Sequence, residues 1–230
     1  MHDDERPPKE APRRTLRRDA LRNRESLVAG ALRALARDGM NVPVSEIAKE
    51  AGVGVATFYR CFPDRHALMT ELEHRAYDKL LLILDAVVMA GLEGLPAVQS
   101  FLVESVAIAD DLILPLHGAP PLVGQEAVDK RQRIDGQIEA FLAQARAVGA
   151  VRHDVNATDV IICSALVTQP LRHGPDWGRS AARHVELFVA GIASEGVLPV
   201  AAVLQRDIES TFRDHVGSRP DAGSTSVPIT

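Results

Sequence analysis

Thr57, Tyr59 and Arg60 stand within four residues of one another in the stretch AGVGVATFYRCFPDRHAL, residues 51–68. A guanidinium can fork onto two adjacent acceptors, such as O6 and N7 of a guanine edge. Hydroxyls can donate to phosphate oxygens. These groups work together only if one surface presents them. Read as a helix at about 100° per residue, the stretch places Val55 and Phe62 on the same side as an inward Phe58. Ala56 and Arg60 then point outward, with Thr57 and Tyr59 flanking them. A small residue at 56 permits close approach to a groove, so the chemistry this face suits is contact with double-stranded DNA.

Such a face needs a holder. VSEIAKEAGVGVATFYRCF reads as two short helices joined by a glycine turn, the pattern of a helix-turn-helix. Ala48 supplies the small residue where the helices cross, and Gly52 the residue tolerant of positive φ. Ile47, Val53 and Phe58 form the apolar wedge that sets their angle. Ser45 is expected to cap the first of the two. Upstream, RRTLRR carries Arg13, Arg14, Arg17 and Arg18, a basic arm able to track phosphates or enter a minor groove. Lys49 adds charge nearby. Arg65 opens the next helix, where free N–H groups favour an anion. The expected DNA-contacting set is Arg14, Arg17, Arg18, Ser45, Ala56, Thr57, Tyr59, Arg60 and Arg65.

The charge distribution agrees. Residues 1–65 hold 13 Lys/Arg against 10 Asp/Glu, and the remaining residues hold 13 against 21, so a basic head precedes an acidic body. That acidity mildly disfavours an anionic small-molecule ligand for the body. Hydrophobic residues make up 46% of the 230 and aromatics 4%, with Ala, Leu and Val dominant, which favours helices packed on helices. The spacing predicts helices over about 16–37, 45–51, 55–62, 65–90, 96–114, 125–148, 157–171 and 177–192, with a last amphipathic segment at 200–212. Leu21, Val28, Ala31, Leu32 and Leu35 form the apolar stripe of the first, and Asn156 with Asp159 a capping pair for the seventh. The expected fold is all-α. Residues 1–15 read as a disordered basic arm, 16–64 as the DNA-binding domain, 65–213 as a helical bundle and 214–230 as a disordered tail.

From about Arg17 to Leu80 the chain resembles the N-terminal domain of the TetR family of bacterial transcriptional regulators. RESLVAGALRALARDG, the helix-turn-helix, the aromatic-x-x-aromatic-Pro sequence and the long following helix recur in that order. It departs in Gly54, where a capping Ser or Thr is usual, in Cys61 for a frequent His, and in Arg65 and His66 for Lys and Glu. The resemblance implies a homodimer on an operator of two related half-sites, and a C-terminal domain that binds a small effector and releases the DNA, with repression favoured.

One short recognition helix reads too few base pairs to act alone, which also argues for pairing. Leu166, Val185, Leu187, Phe188 and Ile192 are the expected dimer surface, offering more apolar area than one core-facing stripe needs. No constellation points to catalysis: there is no HExxH, no His pair at i, i+4 and no phosphate-cradling glycine loop after a strand. Cys61 and Cys163 make no metal or disulfide motif, and no metal or cofactor is expected. His117, Cys163, Gln169, His173 and Trp177 are polar or aromatic groups read as structural. No signal peptide is expected at MHDDERPPKE, no run is long and apolar enough to span a bilayer, and a cytoplasmic location follows. The competing reading is a helical protein-interaction module without DNA binding, which leaves the Arg60 face and the arm without a purpose.

Overall fold

The computed structural model describes residues 11–169, 176–193 and 195–217, with side chains from Arg18 onward. Among the described residues it is all-α. The helices are α1 (Ala11–Asp38), α2 (Val44–Glu50), α3 (Val55–Cys61), α4 (Arg65–Met89), α5 (Gly94–Ala107), α6 (Gln125–Ala147), α7 (Ala157–Val167), α8 (Trp177–Ala193) and α9 (Gln205–Gly217). Two short 3₁₀ turns, Ala109–Asp111 and Pro115–His117, lie between α5 and α6.

Packing divides the chain into two compact units, Met1–Leu72 and Glu73–Thr230. The division falls inside α4, later than the expected 64/65 boundary, because Leu68, Met69 and Leu72 are buried with the first unit. Two further expectations change. Residues 11–15 are not part of a disordered arm but open α1, and 214–217 are not tail but the end of α9. Residues 1–10 and 218–230 lie outside the described residues.

In the first unit α1, α2 and α3 pack on one another. Leu27, Ala31, Ala34, Ile47, Ala48 and Phe58 are each at most 1% exposed. Leu21, expected in this stripe, is 64% exposed, because the buried side of α1 begins at Leu27. At Gly30 a β-carbon would lie 2.7–2.8 Å from the backbone of Ala51, so α1 and the end of α2 approach as closely as a glycine permits. Ion pairs brace the same crossing from outside: Arg33 Nε to Glu50 at 2.9 Å and Arg37 Nη1 to Glu50 at 2.8 Å.

In the second unit α5 packs against α6, α7 and α8. Phe101 and Leu102 of α5, Ile138 and Leu142 of α6, Val160 of α7 and Val185 of α8 share its core. The capping pair forms as expected: Asp159 N–H donates to Asn156 Oδ1 (3.1 Å) and Asn156 N–H to Asp159 Oδ2 (2.9 Å). No described helix is long and apolar enough to cross a membrane.

Candidate functional site

The short helix α3 is fixed at both ends by its local sequence. Before it, α2 ends in a Schellman motif: Gly52, at φ 69°, donates to the Lys49 carbonyl (3.0 Å) and Val53 to that of Ala48 (2.9 Å). Gly54 is the N-cap in extended conformation with no side-chain hydrogen bond, so the missing Ser or Thr is not replaced from elsewhere. Its carbonyl accepts from Thr57 (2.8 Å) and Phe58 (3.2 Å). After it, Phe62 turns to φ −134°, ψ 120°. The following Pro63 disfavours helical geometry at 62, so the helix stops there.

Phe58 is fully buried and anchors the inner side; its ring meets Tyr59 edge-on at 5.3 Å and lies 5.9 Å from Phe62. A buried side chain of this size contributes about 1.5–3 kcal/mol. Ala56, Tyr59 and Arg60 are exposed, and Thr57 is half-buried beside them. Arg60 donates to Thr57 Oγ1 at 2.9 Å, which draws the guanidinium along the outer face. The four positions of this helix expected to face DNA are thus brought onto one side. Val55, expected inward, is 41% exposed, since it opens the helix one turn ahead of the anchor.

Other expected positions are placed differently. Ser45 is not the N-cap of α2: Pro43 holds that place, its carbonyl accepting from Glu46 (3.1 Å) and Ile47 (3.2 Å). The helix therefore starts ahead of Ser45, which remains exposed in its first turn. Arg65 is half-exposed at the start of α4, and one Nη of its guanidinium donates to the Met40 carbonyl. The N-terminus of α4 is capped by Asp64, whose Oδ1 accepts from Ala67 N–H at 2.7 Å. Arg18 is exposed on α1. Arg14 and Arg17 belong to the helical backbone of α1, and their side chains lie outside the described residues.

Sequence reasoning passed over Arg24. It donates to the Cys61 carbonyl (2.9 Å) and to Glu71 (2.7 Å), and its guanidinium covers the Phe62 ring at 4.2 Å. It therefore ties the end of α3 to α1 and α4. Partners 37 and 47 residues away leave no local signal in the sequence.

The second unit contains a narrow, largely apolar cavity that is partly open to solvent. Leu80, Leu114, Ile134, Ile161, Ile208 and Phe212 form its greasy walls, and Tyr77, Arg131 and Gln205 its polar ones. Arg131 and Glu209 are buried and paired in two parallel hydrogen bonds, Nε to Oε1 at 2.5 Å and Nη2 to Oε2 at 2.7 Å. Arg131 Nη1 donates to the Leu122 carbonyl at 2.9 Å. Behind them Glu73 is fully buried; its Oε1 accepts from Tyr77 at 3.0 Å, and its Oε2 has no partner among the described residues. Burial pushes the Glu73 carboxyl up to about 7, against the smaller opposing pulls of Tyr77, the Leu122 N–H and Arg131.

The polar residues singled out in the body are structural. His117 Nδ1 lies 2.6 Å from the Leu112 carbonyl and its Nε2 lies 3.1 Å from both the Thr168 hydroxyl and the Ala165 carbonyl; Gln169 donates to the Leu116 carbonyl and Trp177 Nε1 to that of Val167. Cys163 is buried, which pushes its thiol up to about 11. His173 lies outside the described residues. Of the expected dimer surface, Val185 and Ile192 are corrected: they are buried in the core of the unit, because they lie on the single inward stripe of α8 with Ala181 and Val189. Phe188 is half-buried against that core. Leu166 and Leu187 are 65% and 55% exposed. Among the described residues no cluster of three or more His, Cys, Asp or Glu could hold a metal ion.

Comparison with known proteins gives two family matches. Residues 27–72 match the model described as bacterial regulatory proteins, tetR family. Residues 98–194 match that of the transcriptional regulator SbtR-like C-terminal domain. No curated protein matches the chain. A solved TetR transcription regulatory protein from Mycobacterium vanbaalenii is 26% identical over 78% of this chain and 99% of its own, with a TM-score of 0.51. The ketosteroid transcriptional regulator KstR2 of Mycobacterium tuberculosis shares the fold at 17% identity, over 75% of this chain and 95% of its own, with a TM-score of 0.59. AibR, solved with isovaleryl coenzyme A and operator DNA, shares it at 14% identity, over 74% and 98%, with a TM-score of 0.61.

Proposed function

Because this chain belongs to the TetR family of bacterial regulatory proteins, we propose that it binds an operator as a homodimer through α3 and is released by a small effector. The observation that carries the reading is the two-sidedness of α3. Phe58 is fully buried while Ala56, Tyr59 and Arg60 stand exposed together on the outer side of the same seven-residue helix. In the complex Arg60 reads a base edge in the major groove, Thr57 and Tyr59 donate to phosphates on either wall, and Ala56 lets the helix approach. The arginines at the start of α1 add phosphate contacts without sequence preference.

Two copies present two recognition helices, and half-sites lie about 34–36 Å apart or a multiple of that. Leu166 and Leu187, apolar and exposed, are the remaining candidates for the surface that joins them. The cavity of the second unit is the effector site, and its occupation lowers operator affinity by a coupling of about 1–3 kcal/mol. Repression relieved by the effector is the mode this arrangement serves, in the cytoplasm where the DNA is. The test is selection of bound duplexes from a random pool. An enriched inverted repeat is the expected result, and recovery without sequence preference contradicts the reading. Sedimentation at micromolar concentration checks assembly: a monomer contradicts the dimer.

A further inference from the structure

We propose that the cavity takes an apolar monocarboxylate, and that Glu209 of α9 occupies the carboxylate's place on Arg131 until the ligand displaces it. This deepens the effector reading of the second unit and rests on it. The walls of the cavity are almost wholly apolar, and the polar groups that line it are Arg131, Tyr77 and Gln205. The guanidinium and the Gln205 amide offer donors, and both already point at Glu209, the amide at 3.1 Å from its Oε1, while the Tyr77 hydroxyl donates to Glu73; the one fixed charge among the three is positive. The guanidinium fork is the geometry that a carboxylate fits in two parallel hydrogen bonds. Glu209 already fits it that way, at 2.5 and 2.7 Å.

The exchange keeps charges balanced, which is what makes it feasible in a buried site. Removing one member of a buried pair strands the other charge and is strongly unfavourable. A ligand carboxylate that takes the place of Glu209 leaves Arg131 paired, while Glu209 moves with α9 into water. Glu73 stands behind Arg131, its Oε1 3.9 Å from Nη1, farther than either Glu209 oxygen, so it does not take the guanidinium fork. An amine in the same place meets Arg131 and is repelled. The local charge thus overrides the acidity of the body as a whole.

α9 is built to let go. Only Glu209 and Phe212 of the helix are buried, and Phe212 lies under the Arg131 guanidinium, 5.3 Å from its ring. Gln205, Ile208 and Phe212 close one side of the cavity, so the helix that donates the internal carboxylate also covers the apolar space. The segment leading into it exposes Val197 and Val200 and is held by two hydrogen bonds, Leu198 N–H to Asp154 Oδ2 and Asn156 Nδ2 to the Val203 carbonyl, and not by buried side chains. A ligand longer than the narrow cavity can accept therefore breaks the Arg131–Glu209 pair and lifts α9 together.

The test uses the full chain without DNA, with octanoate and decanoate as probes and octanol and octylamine as controls. Calorimetry reads binding, and hydrogen exchange reads α9. The carboxylates are expected to bind at least about tenfold tighter than octanol, the worth of a charged hydrogen bond. They also deprotect residues 205–217, while octylamine does not bind. Glu209→Gln removes the internal competitor and is expected to raise carboxylate affinity by about tenfold or more. If that variant does not fold, the wild-type comparison decides. Octanol or octylamine binding as tightly as octanoate overturns the carboxylate class and leaves an effector cavity standing. Octanoate binding with α9 still protected overturns the displacement. No binding by any probe overturns the proposal, and operator binding, which none of these arms measures, is untouched.

Discussion

The two units of this protein use charge in opposite ways. In the first, Arg33, Arg37 and Glu50 brace the crossing of α1 and α2 from the surface, where water shares the work. The apolar wedge and the close approach at Gly30 do the holding. In the second, Arg131 and Glu209 are buried as a pair beside a cavity, where each charge depends on its partner. Surface pairs can be lost one at a time with little consequence. A buried pair is all-or-none. The first arrangement suits a rigid presenter of one helix face, and the second suits a part that has two states.

The largest effect is expected at the buried pair. Arg131→Ala should destabilise the chain by about 3–5 kcal/mol in chemical denaturation, because Glu209 loses its partner in a dry site. Replacing both, as Arg131→Met with Glu209→Leu, should be about neutral or better, because no stranded charge remains. If both variants lost the same stability, the pair would be holding the fold through packing and not through charge.

Glu73 sharpens the same contrast through pH. Its folded-state pKa is raised to about 7 from 4.5. The folded state therefore holds a proton that the unfolded state releases. The stability contribution is fully present below about pH 4.5 and is lost as pH rises through about 7, on the order of 3 kcal/mol. Glu73→Gln should remove that slope and be more stable than the wild type at alkaline pH, measured by denaturation across the range. An unchanged slope in the variant would show that another group titrates.

Next in size is Gly30→Ala. Its β-carbon meets the Ala51 backbone, which cannot swing aside like a side chain, so α1 and α2 must part. A cost of about 1–3 kcal/mol is expected, with operator binding weakened because α3 is carried on α2. An Ala variant as stable as the wild type would mean that the crossing is looser than its geometry. The smallest effect belongs to Glu50→Ala, which removes the acceptor of two exposed arginines. Its thermal midpoint should shift least of the set and shift less still in high salt. A shift rivalling that of Arg131→Ala would erase the contrast between the units.

Much of the first unit was legible because its signals are local. Gly52 marks the turn, Pro63 the stop, and Ile47, Ala48 and Phe58 the wedge within a dozen residues. Gly30 was not, since a glycine inside a helix pattern announces nothing until the neighbour it admits is known. The Ser45 cap failed because Pro43, which has no N–H to leave unpaired, could begin the helix earlier. The bond from Arg65 to the Met40 carbonyl was not legible, because that acceptor lies 25 residues upstream in a loop. Counting apolar residues on α8 overstated its surface: Val185 and Ile192 satisfy one core stripe, and only Leu187 faces out. The cavity was hidden for a related reason. Arg131 and Glu209 are 78 residues apart, and nothing near either one says that they meet.

The central claim, that the outer face of α3 reads DNA, is tested most directly by Arg60→Ala. Fluorescence anisotropy should compare the variant with wild type on the selected operator and on a duplex altered at one base of each half-site. The account predicts a loss of about 1–3 kcal/mol on the operator and a much smaller difference between the two duplexes for the variant than for wild type. Equal affinity of variant and wild type for the operator, with discrimination intact, would contradict it.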